Sequence, residues 1–188
     1  MDLGAEERLP DVGAGLGERG AAQGSASESD RLRGLGQAQQ MQGAFAESLL
    51  PLVDALVRAQ AADDRAGIAA TLASLGNSQL ALGRSDAAAE VLVRGAELAE
   101  QVDRTDLTAT VLNDLANQRS LEAHFEDPID DYQRSAGLAQ AAGRPGDAAR
   151  AMANAARSAL SARQTARTRE LLGASRAHLG SMTRVSDR

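Results

Sequence analysis

An all-α fold, arranged as a solenoid of antiparallel helix pairs, is predicted by three observations on the sequence. A leucine-glycine frame recurs forty residues on: LGQAQQMQG at 35–43 returns as LGNSQLALG at 75–83, and a fixed period of this size is the mark of a repeat architecture. Within each unit the apolar residues step by three and four, as in Leu72, Leu75 and Gly76, which lays one stripe along a helix. No stretch alternates apolar and polar residues as a half-buried strand would.

The columns run through four units without a gap. Leu32, Leu72, Leu112 and Met152 align, as do Leu35, Leu75, Leu115 and Ala155, and the small column Gly36, Gly76, Ala116 and Ala156. Gly43, Gly83 and Ala123 follow, and the pattern decays at Arg163. In the second half of each unit Leu52, Leu92, Tyr132 and Leu172 align, then Ala55, Gly95, Ser135 and Ser175.

Each unit therefore reads as two helices. In the second unit the first helix spans about 65–82 and Gly83 ends it, because a residue just past a helix often needs positive φ. The next helix opens near Asp86 and closes near Val102. Glycine inside a helix costs about 1 kcal/mol against alanine, so Gly76 needs its own reason, and close approach of a neighbouring helix supplies one. At the joints, Thr105 and Asp106 suit helix N-caps, and Pro145 and Pro128 suit first turns. Pro51 falls inside the helix expected over 44–60 and predicts a kink or a late start there. The unit boundaries are 29–64, 65–104, 105–144 and 145–180. Residues 1–28, with six glycines among the first 24, read as a mobile segment, and 181–188 as a flexible tail.

Composition bounds the function. Of 188 residues, 43% are hydrophobic and only 2% aromatic, with much alanine, which suits closely packed helices better than a wide, deep pocket. There is no cysteine, so disulfides and thiolate metal sites do not arise. All twenty basic residues are arginine, a bias that no single site requires. No apolar run approaches a membrane span, and MDLGAEER is no export signal, so a cytoplasmic protein is expected. Charge is uneven: residues 144–188 hold nine arginines against three acids on a chain of net charge −6. Such a basic end serves an acidic partner, a docked domain, self-association or plain solvation.

The motif positions, Leu72 at 4, Leu75 and Gly76 at 7 and 8, Gly83 at 15, Ala88 at 20, Leu92 at 24 and Gly95 at 27, resemble the tetratricopeptide repeat (TPR), in a longer variety of forty residues rather than the usual 34. The resemblance covers about 30–180. Its departures are Gln39, Gln79 and Arg119 where tyrosine is common, and Pro128 at position 20 of the third unit. It implies a scaffold or adaptor that binds a peptide or partner protein in a concave groove lined by the first helix of each unit. It also leaves open the regulatory or oligomerising part of a larger enzyme or effector, for example upstream of a peptidase or ATPase module.

Candidate chemistry is sparse. GLGERG matches G-x-G-x-x-G through Gly15, Gly17 and Gly20, but AEERLPDVGA before it is no strand, so no dinucleotide site is assigned. His124 and His178 are too far apart to be read as metal ligands, and they read as surface residues. The acids Glu126, Asp127, Asp130 and Asp131 read as flanking a helix N-terminus. No catalytic, cofactor or metal site is predicted, and with one tyrosine and two phenylalanines nucleic-acid binding is unfavoured.

One polar column stands out. Gln37, Asn77, Asn117 and Arg157 share a repeat phase turned away from the buried stripe. Arg33 and Asn113 lie four residues earlier on that face, and Asn154 beside them. The resemblance puts them in the groove as a ladder of amide and guanidinium groups for a ligand's backbone and carboxylates; the alternative is that they only keep the helices soluble. On either reading Asn77 and Asn117 are expected to point to solvent and to contribute little to stability.

Overall fold

The computed structural model of the protein describes residues 12–122 and 127–185, with side chains over 23–122 and 128–180. Among these residues there are eight helices and no strand: α1 Val12–Met41, α2 Phe45–Ala61, α3 Arg65–Ala81, α4 Ser85–Gln101, α5 Thr105–Leu121, α6 Asp127–Ala141, α7 Pro145–Ser161 and α8 Thr165–Val185. Each helix packs on the next, and α1, α3, α5 and α7 also pack in succession, whereas the even helices meet through long side chains, as Arg134 of α6 meets Glu100 of α4 and Arg167 of α8 meets Asp130 of α6. Crowding on the odd side and splaying on the even side make the odd helices the inner face of a curved stack.

The turns obey a stricter rule than the glycines reveal. Gly43, Gly83 and Gly143 have φ of 79°, 72° and 71°, and Asp63, Asp103 and Arg163 have φ of 50°, 52° and 61°. A left-handed residue thus recurs every twenty positions; Ala123, the one gap, lies outside the described residues. Each serves the same hydrogen bonds. Gly83 N donates to Leu80 O at 3.0 Å and Arg84 N to Gln79 O at 2.9 Å, as Arg163 N does to Leu160 O at 2.9 Å and Gln164 N to Ala159 O at 2.8 Å. These paired bonds cap the last carbonyls of a helix. The turn at Arg163 is therefore kept although the glycine is lost.

The small column explains itself by contact. A Cβ on Gly76 would lie 2.5 Å from the Leu92 side chain, and one on Gly36 would lie 2.6 Å from Leu52. In the third unit Ala116 stands in that column, and Tyr132, buried against it, replaces leucine. A second close approach links residues 26 apart: Ser29 Oγ donates to Ala55 O at 2.8 Å, Ser135 Oγ to Ala109 O at 2.6 Å and Ser175 Oγ to Ala149 O at 2.8 Å. At the same level of the second unit, Gly95 approaches Ala69 O. The core is a run of small clusters, each spanning two or three helices, such as Ala59 with Ile68 and Leu72, or Leu92 with Val111 and Leu115.

Two expectations are corrected. The helix containing Pro51 does not start late: α2 opens at Phe45, runs through Pro51 and buries it. In its first turn Ser48 Oγ donates to Phe45 O at 2.8 Å, and the carbonyl that Pro51 leaves without a helical donor is that of Glu47, four residues back. The cap of α5 is Arg104, neither Thr105 nor Asp106; Asp106 instead holds Arg104 at 2.8 Å from the first turn. Residues 12–28, expected to belong to a mobile segment, and 181–185, expected to belong to a flexible tail, are helical and fall in α1 and α8. Ser29, bonded to Ala55, anchors α1 to α2. Residues 1–11 and 186–188 lie outside the described residues.

Candidate inner-groove binding site

The inner face is set by a spacing of i, i+4, i+7 on each odd helix: Ala70, Ser74 and Asn77 on α3, Thr110, Asp114 and Asn117 on α5, and Arg150, Asn154 and Arg157 on α7. Side chains at this spacing share a helix face, so the three helices lay three polar stripes side by side. Five of the predicted residues, Asn77, Asn113, Asn117, Asn154 and Arg157, line one groove of about 710 Å³ together with Arg150. Gln37 lies in an adjoining hollow of about 310 Å³ that shares Asn77 and Arg150 and includes Asp114. Arg33 is not brought together with them. It pairs with Asp30 at 2.7 Å and lines a separate hollow beside Asp64 and Arg104.

Rungs of hydrogen bonds cross between odd helices. From α1 to α3, Gln37 Nε2 donates to Ser74 Oγ at 3.2 Å and Gln40 Nε2 to Ser78 Oγ at 2.6 Å. From α7 to α5, Asn154 Nδ2 donates to Asn113 Oδ1 at 3.1 Å and to Asn117 Oδ1 at 3.4 Å, and Ser158 meets Ser120 at 3.0 Å. Between α3 and α5 the equivalent rung would join Asn77 to Asp114, and among the described residues it is unmade. Asn77 is exposed, and its amide has no partner among the described residues.

Two asparagines are structural, against the expectation that this column faces solvent. Asn113 is 3% exposed, and Asn117 Oδ1 accepts the Tyr132 hydroxyl at 2.8 Å. Tyrosine in place of leucine brings a hydroxyl into the core, where it needs a partner, and Asn117 tethers α5 to α6 and α7 in supplying one. Burial holds the Tyr132 hydroxyl above its ordinary pKa.

Sequence reasoning passed over Asp114 and Arg150. Counting back three residues from Asn117 and seven from Arg157 reaches them, so the helix period was the missed signal. Asp114 is 6% exposed, and among the described residues its one hydrogen-bond partner is the Asn113 amide at 3.3 Å. Burial raises its pKa from 3.8 to about 6, against weaker pulls down from Asn113 and the Arg150 charge. Arg150 pairs with Asp147 at 2.9 Å, whereas no carboxylate pairs with Arg157 among the described residues. The groove thus carries the exposed Asn77 amide and the guanidinium groups of Arg150 and Arg157 on its walls, the last of these beside the Tyr132 hydroxyl, and a poorly partnered carboxyl between them.

The other candidates are placed as follows. His178 shares a hydrogen bond with Gln140 at 2.9 Å, while His124 and Glu126 lie outside the described residues. Asp130 and Asp131 pair with Arg167 and Arg119. Among the described residues no group of His, Cys, Asp or Glu is placed to hold a metal ion, and no helix is long and apolar enough to cross a membrane. Gly15, Gly17 and Gly20 lie inside α1.

No family model matches the chain, and no curated protein does. Solved structures do. BtubC (BKLC) from P. vanneervenii superposes with a TM-score of 0.68 at 19% identity, over 87% of this chain and 72% of that one. The fold is a TPR-like α-solenoid. A Podosopora anserina putative kinesin light chain with nearly identical TPR-like repeats is similar over 82% of this chain and 96% of its own, at a TM-score of 0.51 and 15% identity. A point-substituted form of that protein gives 0.50 and 14%. At these identities the likeness shows the fold.

Proposed function

We propose that the protein acts by binding, and that it holds an extended stretch of a partner polypeptide in the inner groove across α3, α5 and α7, with no catalytic step of its own. The observation that carries this reading is the unmade rung. Where Gln37 meets Ser74 and Asn154 meets Asn117, Asn77 and Asp114 make no hydrogen bond across the helices among the described residues, and Arg157 stands beside them with no carboxylate counter-ion among those residues. An extended chain offers backbone N–H and C=O groups at every residue, which suit the Asn77 amide, and its acidic side chains suit Arg157 and Arg150. Groups that are poorly satisfied in the free protein gain most from such a ligand.

Panning a displayed library of short random peptides against the protein tests the reading. Acid-containing peptides are expected to be enriched, and enrichment is expected to fail on the Asn77→Ala, Arg157→Ala double variant but persist on Arg94→Ala, which alters the outer helix α4. No enrichment, or enrichment indifferent to the double variant, contradicts it.

A further inference from the structure

The even helices present a second repeated surface. In α2, α4 and α6 the stripe at i, i+3, i+7, i+10 is covered by the odd helix that follows: Ala59 packs with Ile68 of α3, Leu92 and Ala99 with Leu107 of α5, Ala139 with Ala148 of α7. The columns are closed in all three units. Leu52, Leu92 and Tyr132 are each 0% exposed, and Ala59, Ala99 and Ala139 at most 1%. On α8 the same columns hold Leu172 and Leu179, which are 43% and 50% exposed, because no helix of the described residues lies over them.

This end differs from the other. On α1 the outward positions equivalent to Ile68 and Thr71 are Glu28 and Arg31, an ion pair at 2.7 Å, so that face carries paired charge in place of an apolar stripe. On α8 the stripe alternates instead, with Arg169 and Arg176 standing where the other even helices carry Leu49 and Leu56, Ala89 and Ala96, or Ile129 and Ala136. Both arginines are exposed, and neither has a carboxylate partner among the described residues. A following helix as apolar as α3 or α7 would strand both charges at the contact. A second copy of α8 laid against the first would set arginine against arginine.

We propose that the Arg169, Leu172, Arg176, Leu179 face of α8 is a docking seam for an amphipathic helix of another protein, one whose apolar stripe is flanked by acidic residues. The partner helix lies as α3, α5 and α7 lie on their predecessors, its apolar side chains over Leu172 and Leu179 and its carboxylates on the two guanidinium groups. This surface is separate from the inner groove, and either can fail without the other.

The test uses two synthetic helices built on the α3 stripe, one flanked by Glu and one by Lys, each locked by side-chain bridges because isolated helices of this length are marginal in water. Fluorescence anisotropy against the whole protein is expected to show the Glu helix bound at least roughly tenfold more tightly than the Lys helix at low salt, with the difference shrinking as salt rises. Leu172→Ser with Leu179→Ser, and separately Arg169→Glu with Arg176→Glu, should each abolish the preferred binding while leaving helicity by circular dichroism unchanged. Failure of both helices to bind, equal binding of the two, or binding that survives these substitutions overturns the proposal. So does self-association in sedimentation equilibrium that the leucine variants dissolve, which would assign the seam to a second copy.

Discussion

Asn117 and Asn77 share one column and do different work. Asn117 accepts from Tyr132 and Asn154, so Asn117→Ala takes from a buried hydroxyl its shortest hydrogen bond, leaving the longer contact with Ser120 at 3.3 Å, and is expected to cost about 1–3 kcal/mol in denaturant unfolding. Asn77→Ala, which removes no contact, should leave the midpoint nearly unchanged. Asp114 yields a pH prediction. Its folded pKa is raised from 3.8 to about 6, so the folded state binds a proton more tightly than the unfolded chain. The stability this lends is full below pH 4 and is lost as pH rises through about 6, by about 3 kcal/mol at the most. Asp114→Asn should therefore raise stability at neutral pH and flatten its fall between pH 4 and 7. A variant no more stable than the parent at pH 7 would contradict the assignment of Asp114 as a desolvated, poorly compensated carboxyl. Neither role was legible in the sequence, because helical phase reports direction from one axis only. Whether Asn117 meets solvent or Tyr132 depends on how α6 crosses α5.

At the scale of the element, turns and close approaches were the legible part. Gly83 at a helix end and Gly76 at a helix contact follow from the cost of glycine elsewhere, and both are found so. The rule that a left-handed residue recurs every twenty positions was hidden, since Asp63, Asp103 and Arg163 take that conformation without being glycine. Glycine adopts it without the steric cost that other residues meet. Gly76→Ala drives a Cβ into Leu92 and should lower stability by about 1–3 kcal/mol, the usual cost of overpacking. Asp103→Gly, at an exposed turn already left-handed, should be neutral or slightly stabilising. Equal losses from both substitutions, read as melting temperatures, would sink this account of the two positions.

For the whole molecule, a period of forty and the columns of leucine led to the correct stack of helix pairs, because solenoid order is local and each unit touches only its neighbours. The inner groove was legible in part. Asn77 and Arg157 were found by phase, but the unmade rung between α3 and α5 is a property of three helices together. The glycine-rich stretch remains a prediction for limited proteolysis: cleavage is expected to begin before about Ser27, where α1 passes the level of the Ser29–Ala55 contact, and to spare the units that follow. The central claim is that a polypeptide partner lies along the inner groove, and the most direct measurement is an amide-proton NMR titration of the protein with a peptide enriched by panning. The side-chain amide signal of Asn77 and the backbone signals around Asp114, Asn117, Asn154 and Arg157 are expected to move together with one dissociation constant, while those of the outer faces of α2 and α4 stay still. Shifts confined to the even helices, or to α8 alone, would contradict the claim.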